Sequence, residues 1–99
     1  MEVVFSLQAE LDLEEIADTI AIDNAPAAIR FIQAIREHCA RIGLAPLAYP
    51  ARPELGFDIR CCVHQRYLIL FQPGASSLLL VRILHGGRDL TSLFSIDQV

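Results

Sequence analysis

Arg60, Arg82 and His85 are the residues best placed to do chemistry, because each stands in a strand-like, strongly apolar run. The runs are Arg60-Cys61-Cys62-Val63-His64-Gln65-Arg66-Tyr67-Leu68-Ile69-Leu70-Phe71 and Leu80-Val81-Arg82-Ile83-Leu84-His85-Gly86-Gly87-Arg88-Asp89-Leu90. An arginine in such surroundings needs a partner, since burying an unpaired charge is very costly. If Arg60 and Arg82 both occupy the sheet face turned away from the helices, they form a two-arginine site that can hold a phosphate or a partner's carboxylates. The competing reading is an internal salt bridge to Asp58, Glu54 or Asp89. His85 can serve as a general acid or base near neutral pH. It can equally be a structural histidine at the Gly86-Gly87 turn, and no Ser, Cys or carboxylate neighbour suggests a triad. Tyr67, after Arg66, can stack or donate a hydrogen bond at a site edge.

Charge narrows what such residues can serve. The net charge is −4, and all eight basic residues are arginine. An acidic domain does not draw a polyanion over long range, so strong direct nucleic-acid binding is not expected. Arginine without lysine suits planar, bidentate contacts with carboxylates, which favours an acidic protein partner. The three cysteines, Cys39, Cys61 and Cys62, read as reduced thiols, and adjacent Cys61 and Cys62 point to opposite faces of a strand. No Cys/His spacing suits a metal, so neither a metal nor a cofactor is expected.

The elements that must position these residues follow from periodicity. With 99 residues the chain fits one domain spanning 1–99, and its 54% apolar share implies a dense core or apolar surface awaiting a partner. No apolar run is long enough to span a membrane and no signal peptide is recognisable, which makes the cytoplasm the default. Residues 2–6 read as a strand, with Ser6 as helix cap. Ala9, Leu13, Ile16, Ala17 and Ile20 form one helical face. Glu10, Asp12, Glu14, Glu15 and Asp18 lie mostly opposite, as a solvated face. Asn24 and Pro26 start a second helix, striped by Ala28, Ile32, Ile35, Cys39 and Ile42 and stopped by Gly43. The prolines at 46, 50 and 53 predict an extended loop.

From Phe57 the period becomes two. Phe57, Ile59, Cys61 and Val63 are expected on one face and Asp58, Arg60, Cys62 and His64 on the other. A tight turn leads to an apolar strand over 67–72, then a turn and a last strand over 78–85. Asp89 can cap a tail helix carrying Leu90, Leu93 and Phe94. The fold class is α+β: an N-terminal strand and an antiparallel helical hairpin packed on a small, mainly antiparallel sheet (β-α-α-β-β-β), with a short C-terminal tail helix.

This layout resembles the RelE/ParE toxin superfamily of type II toxin–antitoxin systems, ParE-like branch. The resemblance rests on Ala9-Glu10-x-Asp12-Leu13-x-Glu15-Ile16, Asp23-Asn24-x3-Ala28, and Pro53-Glu54-Leu55-Gly56-x3-Arg60. It continues through Arg66-Tyr67 with Ile69 and Phe71, and ends on Val81-Arg82-Ile83-Leu84-His85-Gly86-Gly87-Arg88-Asp89-Leu90. It implies a toxin that binds and poisons DNA gyrase and is neutralised by a cognate ParD-like antitoxin. That makes it a protein-binding inhibitor rather than a catalyst. The implied partner-binding residues are Arg60, Arg66, Tyr67, Arg82, His85, Arg88, Leu90 and Phe94. RelE-like relatives instead cleave mRNA on the ribosome, and the corresponding set here is Arg60, Arg82 and His85. The chain departs from that pattern in its missing lysines, its missing late tyrosine and its acidic balance. A third expectation is a non-toxic protein of this fold that only binds an antitoxin.

Overall fold

Two polar caps set the helical hairpin. Ser6 Oγ accepts the Ala9 N–H at 2.9 Å and opens α1 (Leu7–Asp23). Asn24 Oδ1 accepts the Ala27 N–H at 3.1 Å and opens α2 (Ala25–Leu44), with Pro26 in the first turn, where its missing N–H is harmless. One residue therefore separates the helices, and the chain must double back.

The computed structural model describes residues 1–86. Its strands are β1 (Glu2–Phe5), β2 (Arg60–His64), β3 (Tyr67–Pro73) and β4 (Ser77–His85), in the order β1-β4-β3-β2. The β1–β4 pair is parallel and the other two pairs are antiparallel, so the α+β class and the β-α-α-β-β-β order hold. The expected tail helix lies outside the described residues. Leu13, Phe31, Ile35, Cys39 and Ile42 of the hairpin bury against Cys62, Ile69, Phe71, Leu78, Leu80 and Ile83 of the sheet. A second, smaller cluster of Leu55, Ile59, Leu70 and Leu84 lies on the far face. Among the described residues, no helix is long and apolar enough to cross a membrane.

Four local expectations are corrected. Gly43 does not stop α2 but lies buried in its last turn. A Cβ there would stand 2.9 Å from Val3 Cγ2 and 3.1 Å from the Met1 carbonyl, so glycine lets β1 approach the helix. The proline loop is not simply extended. It folds into two 3-10 turns, Pro46–Ala48 and Pro53–Leu55, each started by a proline whose fixed φ suits it. The alternation from Phe57 does not run through to Val63. Asp58 takes a left-handed φ of 49°, β2 begins only at Arg60, and Phe57 and Val63 are exposed while Cys62 is buried. Finally, Asp12 is no solvated residue: it is 8% exposed, the one buried charged residue among those described.

A bulge shapes the last strand. Leu70 pairs with Arg82 and Phe71 with Leu80, so Val81 is the extra residue. The β1 ladder ends at Phe5 opposite Leu80, whereas β4 continues to His85. The second half of β4 therefore has an edge that α1 must satisfy.

Candidate functional site

The unpaired edge of β4 explains Asp12 and Arg82 together. Where β1 stops, the Ser6 N–H donates to the Leu80 carbonyl at 2.9 Å, and Ser6 Oγ donates to the Val81 carbonyl at 2.8 Å. Nearly two turns further along α1, Asp12 Oδ2 accepts the Ile83 N–H at 3.0 Å. The same carboxylate takes both arms of Arg82: Nε to Oδ2 at 2.8 Å and Nη2 to Oδ1 at 3.0 Å. This bidentate geometry is the strong form of the ion pair. The bonds to Asp12 raise the Arg82 pKa further above its ordinary value, against the opposing effect of burial.

Arg60 is held separately. It lies on β2 opposite Phe71, with β3 between it and Arg82. Its Nη1 donates to the Tyr49 carbonyl at 2.6 Å, and Nη2 lies 3.0 Å from Asp58 Oδ1. Tyr49 is itself fixed, its ring packing edge-on to Phe71 with centroids 5.6 Å apart. The structure thus does not join Arg60 and Arg82 into one site on the outer sheet face. Each arginine has its own carboxylate, Asp58 for Arg60 as the sequence allowed, and Asp12 for Arg82, where Glu54, Asp58 and Asp89 were the expected candidates.

Three other sequence-selected residues do come together. Tyr67 at the start of β3 faces His85 at the end of β4, in register and with rings edge-to-face at 5.7 Å. Arg66 is exposed in the turn just before, and its carbonyl accepts the Gly86 N–H at 2.9 Å. Two shallow grooves meet at Tyr67 and Thr19 of α1. One runs past Glu15 and His85 along the β4 edge, and the other runs past Asn24 and Arg66 at the hairpin end. Arg88, Leu90 and Phe94 lie outside the described residues.

The chemistry open to this surface follows from its charges. Arg60 and Arg82 are neutralised by Asp58 and Asp12, and the grooves then carry Glu15 and Asp23 against Arg66. Holding an RNA backbone in place requires excess positive charge, which the described residues of this corner do not offer. An amphipathic aromatic, an imidazole and a free-standing guanidinium instead make a surface suited to protein contact. Among the described residues, no group of three or more His, Cys, Asp or Glu is arranged to hold a metal.

Sequence reasoning missed Asp12 and a contact between His38 and His64. Asp12 could have been found. It lies three residues after Ala9 and four before Ile16, on the edge of the apolar stripe, and Arg82 needed an acid.

A family model described as the ParE toxin of the type II toxin–antitoxin system parDE matches residues 3–90. Among solved structures, the chain is similar to one described as the chromosomal ParDE toxin–antitoxin system from P. aeruginosa, with 19% identity and a TM-score of 0.74. That match covers 86% of this chain and 95% of the other. At this identity the likeness speaks for the fold. No curated protein matches the chain.

Proposed function

The chain belongs to the ParE toxin family of type II toxin–antitoxin systems, and from that premise we propose that it acts by protein contact, poisoning DNA gyrase until a ParD-like antitoxin neutralises it. The observation that carries this reading is the internal pairing of both sheet arginines. Arg82 is committed to Asp12 and Arg60 to Asp58 and the Tyr49 carbonyl, so the cations that an RNA-cleaving site would use are already spent. With an acidic net charge of −4 as well, the balance favours a protein target over a nucleic acid.

The partner-contact residues in this reading are Arg66, Tyr67 and His85, together with Arg88, Leu90 and Phe94, which lie outside the described residues. Arg60 and Arg82 are instead tied inside the protein, Arg60 to the Tyr49 loop and Arg82 to the β4 edge through Asp12. An aromatic and an arginine at an exposed corner are the residue types that most often dominate binding energy. The antitoxin would cover apolar surface with anchors spaced along an extended or helical segment.

A supercoiling assay with purified gyrase and the full-length chain tests the proposal. Inhibition that is relieved by a ParD-like antitoxin is expected. Unimpaired supercoiling, together with codon-phased mRNA cuts in a translation extract, would overturn it in favour of an endoribonuclease.

A further inference from the structure

Three side chains outside the surface just described stand in line between α2 and the edge strand β2. Cys62 Sγ lies 3.2 Å from His38 Nε2, and His38 Nδ1 lies 2.8 Å from His64 Nδ1. The line ends at His64 Nε2, which is buried and has no hydrogen-bond partner among the described residues. Phe31 of α2 closes the far side, edge-on to His64 with centroids 5.7 Å apart and to Tyr67 at 5.3 Å.

Counting protons fixes the direction of these bonds. Two facing Nδ1 atoms can bond only if one carries a hydrogen and the other does not. If His38 supplied it, the proton of His64 would sit on Nε2, a buried donor with no acceptor. In the reverse arrangement, His64 Nδ1–H donates to His38 Nδ1, and His38 Nε2–H donates to the Cys62 sulfur. Only a lone pair is then left at His64 Nε2, which costs less than an orphaned N–H. Cys62 Sγ in turn lies 3.8 Å from the Val63 carbonyl, an acceptor for its S–H.

This arrangement has no place for an additional proton. A proton added to His64 makes Nε2–H a buried donor with no acceptor among the described residues. A proton added to His38 sets two Nδ1–H groups against each other, unless His64 moves its own proton to Nε2. The charged group acting on both rings is Arg41 of α2, which opposes further positive charge. From the other packed elements, Cys39 of α2 approaches Cys62, Tyr49 of the proline loop also faces Cys62, and Tyr67 of β3 shares the Phe31 ring.

We propose that the Cys62–His38–His64 line is a pH-sensitive latch. It ties β2 to α2 while both imidazoles are neutral and frees the end of the β2–β3 hairpin when they take up a proton. The strand can respond locally because it lies at the sheet edge. Its other described ties to the loop along the open edge gather at its start, the bridge from Ala51 to Arg60 and the bond from Arg60 Nη1 to the Tyr49 carbonyl. The freed end is the turn that carries Arg66 and Tyr67, so acidification reshapes that corner whatever partner it meets.

The sign of the effect follows from linkage. Burial, chiefly, together with Arg41 and, for His38, the neighbouring His64, pushes both histidines below their ordinary 6.5. The unfolded segment therefore binds protons first as the pH falls. The latch is at full strength above about pH 6.5 and weakens as the pH drops through the folded values.

Hydrogen–deuterium exchange on the full-length chain at pH 7.4 and pH 5.5, corrected for intrinsic rates, tests the latch. Amides of residues 61–67 are expected to lose protection severalfold, up to about tenfold, relative to those of α1, tenfold being the most that one proton gives over about one pH unit. In His64→Phe, which keeps an aromatic against Phe31 but cannot titrate, that loss should shrink to within about twofold. Protection that does not change with pH in the wild type, or a full loss that persists in His64→Phe, overturns the proposal. If the variant does not fold, nitrogen NMR of the wild-type imidazoles decides. Protonated Nδ1 on His64 and protonated Nε2 on His38 are expected at pH 7.4, and the reverse assignment overturns the latch.

Discussion

Replacing Asp12 by alanine should be among the most damaging single changes outside the apolar core. The carboxylate is 8% exposed and accepts four bonds: 2.8 and 3.0 Å from Arg82, 3.0 Å from the Ile83 N–H and a longer one, 3.4 Å, from Gln8 Nε2. Breaking a buried ion pair by removing one partner costs about 3–5 kcal/mol. The Arg82 side chain keeps 22% exposure and can turn partly to water, so about 2 kcal/mol is the better figure for that loss. Orphaning the Ile83 N–H on an edge that no described strand covers adds about 1–2 kcal/mol. Alanine returns roughly 0.5 kcal/mol of helix propensity. The net loss is about 3 kcal/mol, which for a chain of this size lowers Tm by about 12–24 °C. Chemical denaturation of Asp12→Ala, Arg82→Met and the double variant measures this. The double variant should lose at least about 1 kcal/mol less than the sum of the singles, because it removes a charge the first change stranded. A single-variant loss under about 1 kcal/mol, or strict additivity, would refute the reasoning that Asp12 holds both the arginine and the strand edge.

Further outcomes follow from individual contacts. Gly43→Ala should destabilise by about 1 kcal/mol despite better helix propensity, because its Cβ would meet Val3 Cγ2 at 2.9 Å and the Met1 carbonyl at 3.1 Å, as thermal melts would register. Asn24→Ala should cost about 1 kcal/mol by the same measurement, through loss of the bond to the Ala27 N–H. Burial pushes the Cys39 thiol up to about 12 and raises Cys61 and Cys62 as well. A thiol reagent at pH 8 should therefore label the native chain slowly, Cys61 first, and label all three cysteines at once after denaturation. Tyr67→Ala and Arg66→Ala should each weaken partner binding by about 1–2 kcal/mol in calorimetry. Arg66→Ala should leave the melting temperature nearly unchanged, since Arg66 is exposed.

Much of the fold was legible because its local signals agree. Ser6 and Asn24 announce helix starts, the stripe from Ala28 to Ile42 announces a buried helical face, and the apolar runs after Arg66 and Ser77 announce inner strands. The phase of β2 was not legible, since it is reset by the left-handed turn at Asp58, a conformation that sequence signals in glycine more readily than in aspartate. The bulge at Val81 was equally hidden, because an apolar run looks the same in either register. The candidate site was legible in its residue types but not in its pairing. Arg82 in an apolar strand demanded an acid, yet only the early end of β1 explains why that acid comes from α1. His38 lay unnoticed beside the stripe formed by Ile35 and Ile42, where a single histidine carries no signal until β2 brings His64 against it.

The central claim is that this chain acts on gyrase by contact, and trapping of the gyrase–DNA cleavage complex tests it most directly. Purified chain titrated into gyrase, ATP and supercoiled plasmid should accumulate linear DNA after detergent and protease treatment, less so with Tyr67→Ala and not at all once a ParD-like antitoxin is added. Undiminished supercoiling with no linear product at any concentration would contradict the account.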